Sequence, residues 1–336
     1  SFVCGALVKL GVVNNEELID YKNYKKLCDI GLEMIESDLI SNEDIKLNLL
    51  TADNFEYDNI IIDEGQDWPQ EEINLLISIY GSEKIIVADG VDQLVRGKRA
   101  NWKKGLSKSE YEVVSLQECL RLKKNLALFV RNMAQRSDYS YFLEPSQKSP
   151  GGRVLLLTKP YDNYEKLHQE LLKDNISSGN SNVDFLFCVP PSNVQRNGDR
   201  RHSHLGKFLC DQGGFVWEAV DNKERKDIPR NSDTFRVVQY ASCRGLEGWV
   251  TVLEGLDELW NEQYIFALDT VRSQNEDLTA ERVDCKAKEI AFQWVLIALT
   301  RAVDTLVITI KDVNSEFGKL LIKVSQQHED IVEFYD

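Results

Sequence analysis

Residues 59–67 read Asn59-Ile60-Ile61-Ile62-Asp63-Glu64-Gly65-Gln66-Asp67. Three consecutive β-branched residues without polar alternation suit a short strand buried on both faces, and the acidic pair marks where it stops. Pro69 then turns the chain into a helical pattern from Glu71 to Tyr80. In open α/β sheets ligands bind outside the carboxyl ends of the strands. Asp63 and Glu64 are therefore expected at the mouth of such a sheet. One carboxylate there can hold Mg2+ through its water shell, while its neighbour orients or deprotonates a water. Taken alone, the same stretch also reads as an acidic loop after a strand.

The pattern repeats outward from this segment. Ile85 to Ala88, Val154 to Leu157, Phe185 to Val189, Phe235 to Val238, Val250 to Leu253 and Leu306 to Ile310 are further short apolar runs. Helical patterns lie between them at Leu122 to Ala134, Tyr164 to Lys173 and Lys286 to Thr300. Strands alternating with helices predict an α/β fold with parallel sheets. The first fifty residues read as mostly helical, with Leu27, Ile30, Leu32 and Ile35 at helical spacing. Gly97 to Ser109 and Pro150 to Gly152 are candidate boundaries, Asn175 to Asn182 is turn-rich, and Val194 to His204 reads as a polar, mobile loop.

A chain of 336 residues has room for about two domains. Hydrophobic residues make up 43% and charged residues 28%, which excludes global disorder and a disulfide scaffold. No apolar run approaches the ~20 residues that a membrane-spanning helix needs. Forty basic against 55 acidic residues give a net charge of −15. A basic coat for non-specific DNA binding is thus absent, although one locally basic groove on an acidic protein can still bind nucleic acid. The cysteines at 4, 28, 119, 188, 210, 243 and 285 form no Cys-x-x-Cys pair and read as reduced core thiols of a cytoplasmic protein. His202 and His204 read as part of a solvated loop rather than a metal site.

Several more segments carry chemistry. Asp89, Asp92 and Gln93 follow the second apolar run, and a Gln amide beside a phosphate both donates and accepts. Arg121 stands at the entrance to a helix continuing through Asn125 and Phe129. Arg301 stands where an apolar helix runs out and a strand follows, well placed to reach across a cleft. Between them Gln239 to Gly248 reads as a strand leading into a glycine-punctuated turn. Backbone N–H groups around Gly245 can meet a phosphate there.

Together these segments resemble, in order and spacing, the later motifs of superfamily 1 helicases of the UvrD/Rep-like type. Asp63-Glu64-Gly65-Gln66-Asp67 is similar to that family's Walker B motif, Asp-Glu-x-Gln-Asp. Asp89 to Gln93 resembles its third motif, and Leu120-Arg121 with Asn125 its fourth. Ser242-Cys243-Arg244-Gly245-Leu246-Glu247 resembles the fifth, and Ala298-Leu299-Thr300-Arg301-Ala302 the sixth. The resemblance implies two RecA-like parallel-sheet domains closing on ATP and Mg2+. It assigns Asp63 to the metal, Glu64 to water activation, and Gln93, Arg121 and Arg301 to the transferring phosphoryl group. Gly245 and Glu247 would contact the nucleotide, Glu247 at the ribose. The implied track is single-stranded nucleic acid, DNA rather than RNA, with protein partners and no membrane.

The departures matter as well. No Gly-x-x-x-x-Gly-Lys-Ser/Thr occurs, and Arg96-Gly97-Lys98-Arg99 lacks the spacing. The third motif has an extra residue, with Leu94 and Val95 where stacking aromatics are common and Trp102 the only aromatic soon after. The fifth has Arg244 for Lys and Ala241 for the common His. The roughly 118 residues between Arg121 and Gln239 imply a compact second domain. The expectation is the C-terminal part of a helicase cut after its phosphate loop and inactive alone. Residues 1–108 would be the remainder of a first RecA-like domain, incomplete at its N-terminus, and 109–336 the second. The alternatives are a non-catalytic helicase-fold scaffold in a DNA-processing or defence assembly, and a metal-dependent nuclease using Asp63 and Glu64.

Overall fold

The computed structural model describes residues 2–15, 19–20, 22–51, 55–90, 100–115, 118–141, 143–229, 231–274 and 278–336. The chain divides into two compact units, Ser1–Ser115 and Leu116–Asp336. Pro150 to Gly152 lies inside the second unit.

The first unit holds α1 (Phe2–Lys9), α2 (Tyr24–Glu36), α3 (Asn42–Ile45), β1 (Ile60–Ile62), α4 (Gln70–Tyr80) and β2 (Ile85–Val87). α3 runs on into a π-helical turn, Lys46–Leu50. β1 and β2 pair in parallel with Ile61 opposite Ile86. Leu7, Cys28, Leu49, Leu75 and Leu76 form the core under this pair, together with Ile62. Burial on both faces, expected from the unbroken isoleucines, does not hold here. Ile61 is 74% and Ile86 56% exposed, because the helices cover only the face that carries Ile60, Ile62, Ile85 and Val87.

The second unit begins with β3 (Glu118–Cys119), α5 (Lys124–Arg136), β4 (Glu144–Pro145), β5 (Arg153–Leu157), α6 (Glu165–Ser177) and β6 (Phe185–Val189). It continues through β7 (Val194–Asn197), β8 (Arg200–Ser203), α7 (His204–Asp211), β9 (Phe215–Glu218), β10 (Thr234–Gln239) and β11 (Gly248–Leu253). Then come α8 (Leu256–Gln274), α9 (Ala280–Leu299), β12 (Ala302–Thr309), α10 (Glu316–Gln327) and β13 (Val332–Tyr335). Seven strands form one sheet in the order β13-β5-β12-β11-β6-β10-β9, and every neighbouring pair is parallel. This is the α/β class that the alternation predicts.

The alternation of side chains shows why both faces must be covered. Leu155, Leu157, Phe185, Phe187, Val189, Phe235, Val237, Val250, Val252 and Val307 share one core with Leu167 and Leu171 of α6 and Leu205 and Leu209 of α7. The intervening residues, among them Val154, Leu156, Leu186, Cys188, Val238, Leu253, Leu306 and Ile308, are equally buried. On their side α5 contacts β5 and β12, and packs with α9 and α10. A strand apolar at every position thus has a helix layer on each side.

Five of the seven apolar runs fall in this sheet's centre as expected, as β5, β12, β11, β6 and β10. The sequence pattern did not single out the short edge strands β9 and β13, the two-residue pair β3–β4 or helices α7, α8 and α10. Val194 to His204 is not a loop: β7 and β8 form an antiparallel hairpin, and His202 lies on β8. Among the cysteines Cys28, Cys188 and Cys243 are buried, but Cys210 and Cys285 are exposed, so the set is only partly a core set.

His168 of α6 is fully buried in an aromatic box of Tyr161, Phe185, Phe208 and Phe235. Its Nδ1 lies 3.1 Å from the Tyr161 hydroxyl, and its Nε2 has no partner. Burial pulls its pKa down to about 4. The unfolded chain, with a pKa of about 6.5, therefore binds a proton first on acidification. Stability contributed by the neutral ring is complete above pH ~6.5 and lost as pH falls towards ~4, at most about 3 kcal/mol. Urea unfolding of wild type and His168→Phe across that window should show a steeper acid loss for wild type; parallel curves would reject the assignment.

Candidate functional site

In the first unit the turn after β1 is built around an unusual backbone. Glu64 adopts φ 54°, ψ 42°, a left-handed conformation that non-glycine residues rarely take. It reverses the chain directly after the strand. Its N–H donates to Asp63 Oδ1 (2.9 Å), and its carboxylate accepts from Gln66 Nε2 (2.6 Å). Gln66 is fully buried, and its Oε1 accepts from the Gly90 N–H just beyond β2 (2.9 Å). One amide thus ties the loop after β1 to the loop after β2. Asp63 remains exposed.

Gly65 closes the same turn. Its N–H donates to the Ala88 carbonyl (2.9 Å), and its own carbonyl accepts from Trp102 Nε1 (2.8 Å). Trp102, which packs against Trp68, is therefore a clamp on this turn. A Cβ at Gly65 would stand 2.3 Å from Val87 Cγ1, so no other residue fits without displacement. Gln93 and Arg96 to Arg99 lie outside the described residues. Asp89 is exposed immediately after β2.

In the second unit three distant segments meet at the edge of the sheet where β11 and β12 begin. Arg121, just before α5, pairs with Glu247 at 2.9 Å, and both side chains are about half exposed. Arg301, between α9 and β12, is only 2% exposed. Its guanidinium donates to the carbonyls of Ile297 (2.9 Å) and Leu246 (3.3 Å) and to the Thr300 hydroxyl (3.1 Å). Its carbonyl receives the Gly248 N–H (3.0 Å). Arg236 adds a bond to the Glu247 carbonyl (2.6 Å). Arg301 stands at the edge where the strands begin, between the end of α9 and the start of β12. Its position follows from α9, which must deliver the chain to the start of a parallel strand.

The loop from Tyr240 to Glu247 joins the two edges. It leaves the carboxyl end of β10, where the Ser242 hydroxyl accepts from Arg225 (2.7 Å). It buries Cys243, turns at exposed Gly245 (φ 77°), and ends at Leu246 and Glu247 beside Arg301 and Arg121. Asn125 takes a structural part: its Nδ2 donates to the Gly152 carbonyl (3.0 Å), fixing the first turn of α5 to the approach of β5. Lys123 is held between Asp304 and the ring of Trp249, 4.8 Å from its centroid.

The structure thus brings Asp63, Glu64 and Gly65 together in one unit, and Arg121, Gly245, Glu247 and Arg301 in the other. Sequence reasoning missed the supporting parts: the buried Gln66 bridge, the Trp102 clamp, Arg225 on Ser242 and Arg236 on Glu247. It also missed the arginine hairpin β7–β8, whose Gly198-Asp199 turn was a legible signal. No family model matches the chain, and no curated protein matches it significantly. Among the described residues no group of three or more His, Cys, Asp or Glu side chains gathers to hold a metal, and no helix is long and apolar enough to cross a membrane.

Gly65→Ala forces Val87 and Trp102 apart and should destabilise the first unit by about 1–3 kcal/mol, as overpacking does. Tryptophan fluorescence during urea unfolding would register it; an unchanged midpoint would contradict the packing described.

Proposed function

We propose that this chain is part of a nucleotide-driven translocase on single-stranded nucleic acid, of the superfamily 1 helicase type, with its units corresponding to RecA-like domains. The observation that carries the reading is the meeting of Arg121, Glu247 and Arg301. They come from three separate segments, and a nucleotide site of this kind needs them side by side. The left-handed Glu64 turn supports it independently, since backbone strain of this sort persists where the surroundings hold it and clusters at functional sites.

The donor set suits Mg2+-ATP. Asp63, exposed at the end of β1, would hold the metal through water, as one carboxylate commonly does for Mg2+. When bound, Mg2+ neutralises charge on the β- and γ-phosphates. Glu64, oriented by Gln66, would accept a proton from the attacking water. Arg121, exposed and paired only at the surface, would exchange Glu247 for a phosphate oxygen, leaving Glu247 for the ribose. Arg301 holds Leu246 and so fixes the shape of the Gly245–Glu247 loop; reaching phosphate would require it to release that carbonyl. The role of Gln93 rests on the resemblance.

One observation favours a second reading, a helicase-fold scaffold without turnover: the Arg301 guanidinium is buried and already engaged by two carbonyls. Nucleotide binding separates the two. This sequence contains no phosphate-cradling Gly-x-x-x-x-Gly-Lys-Ser/Thr, so the 336 residues alone should show no single-strand-stimulated phosphate release and only weak affinity for a fluorescent ATP analogue with Mg2+. That affinity should fall about tenfold in Arg121→Ala, the worth of one charge-assisted hydrogen bond. Steady release from the purified chain would overturn the need for a separate phosphate loop. Analogue binding that is absent, or unaffected by Arg121→Ala, would favour the scaffold.

A further inference from the structure

The hairpin β7–β8 lies in the connection from β6 to α7, beyond the carboxyl end of β6. Its two-residue loop, Gly198-Asp199, has Gly198 at φ 60°, the conformation a tight type II′ hairpin places at its first loop position. Register puts Arg196 directly opposite Arg201 and Asn197 opposite Arg200. Like charges facing each other across a pair of strands are destabilising. No ion pair or side-chain hydrogen bond relieves Arg196, Arg200 or Arg201 among the described residues. Other arginines of this unit are held: Arg121 by Glu247, Arg153 by Glu333 and Asp174, and Arg225 by Ser242.

The base of the hairpin is anchored firmly. The Arg201 N–H donates to Asp221 Oδ2 (2.9 Å), and the Ser203 hydroxyl caps α7 at the Gly206 N–H (2.8 Å) while bonding the buried Glu218 carboxylate (3.1 Å). Asp221 also accepts the N–H of Lys223 (2.8 Å), so its charge is absorbed by backbone donors. Three guanidiniums are therefore presented on a fixed frame with little nearby anion to neutralise them. From Val194 to Lys207 the cations Arg196, Arg200, Arg201 and Lys207 face one acid, Asp199, a net +3 within a chain of −15.

We propose that this hairpin grips the sugar-phosphate backbone of single-stranded nucleic acid. The inference rests on the translocase reading and deepens it by naming where the strand is held. Guanidiniums match phosphate oxygens bidentately, and a strand of evenly spaced phosphates removes the Arg196–Arg201 conflict. The place fits as well. The turn that takes the Arg201 N–H at Asp221 also sends Arg225 to Ser242, so the hairpin and the start of the Tyr240–Glu247 loop share one support. No Phe, Tyr or Trp lies between Val194 and Lys207, so the grip reads charge and not bases.

Fluorescence anisotropy with labelled oligo(dT) and a labelled mixed-sequence strand, titrated across salt, tests this on the whole chain. Wild type should bind both strands alike. Replacing Arg196, Arg200 and Arg201 together by Gln should weaken binding at least about tenfold at low salt and flatten the slope of log K against log salt by about 2, at ~0.7 per phosphate. An unchanged melting temperature would tie the loss to charge; if the triple variant melts early, single Arg→Gln variants should each flatten the slope by about 0.7. Equal affinity and slope in the variants, with wild-type binding intact, would overturn the hairpin and leave the translocase reading standing. Wild type that binds neither strand would overturn both. Displacement of oligo(dT) by polyglutamate as readily as by unlabelled oligo(dT) would assign the surface to acidic protein instead.

Discussion

Burial of a parallel sheet on both faces is the constraint on which the second unit depends. Val154 to Leu157, Phe185 to Val189 and Leu306 to Ile308 have no polar side to show water, so helices must lie above and below them. Parallel strands in turn need crossovers from one end of the sheet to the other. Function is thereby pushed to the two rims, where loops leave and enter. Nothing in the middle of the sheet is free to do chemistry.

The two rims have different characters. Where the strands begin, Arg301, Arg121 and Arg236 hold the backbone and side chain of Leu246 and Glu247. Where they end, the arginine hairpin and the Arg225–Ser242 bond stand over β6 and β10. The loop from Tyr240 to Glu247 is common to both, and buried Cys243 pins it midway. Ser242 and Glu247 are thus two held points on one short loop.

The sheet's centre was legible in sequence because strands buried on both sides leave an unmistakable run of apolar residues. Its rims were not. β9 and β13 are edge strands with one neighbour each, and their four residues mix Glu, Trp and Tyr with apolar positions. β1 and β2 misled in the other direction: Ile61 and Ile86 read as buried, yet a run of isoleucine records only what the chain could bury. The candidate site residues stand out in sequence as segments, from 63–67 to 298–302, but their geometry does not. Sequence does not say that Arg301 ends beneath Leu246 or that a tryptophan thirty-odd residues on closes the turn at Gly65, because those contacts depend on how helices deliver the chain to the sheet.

The position of β5 sets the order in which this sheet can be completed. It precedes the other six strands in the chain, yet its partners are β12 on one side and β13 on the other, so Val154 waits for Leu306 and Val332. Contacts so remote in sequence incur a large loop-closure entropy before they return anything, and they slow folding. During synthesis Leu155, Leu156 and Leu157 emerge long before anything that can flank them. For that interval they form a sticky, unpaired ribbon, the kind of surface that chaperones hold and that aggregates when they do not.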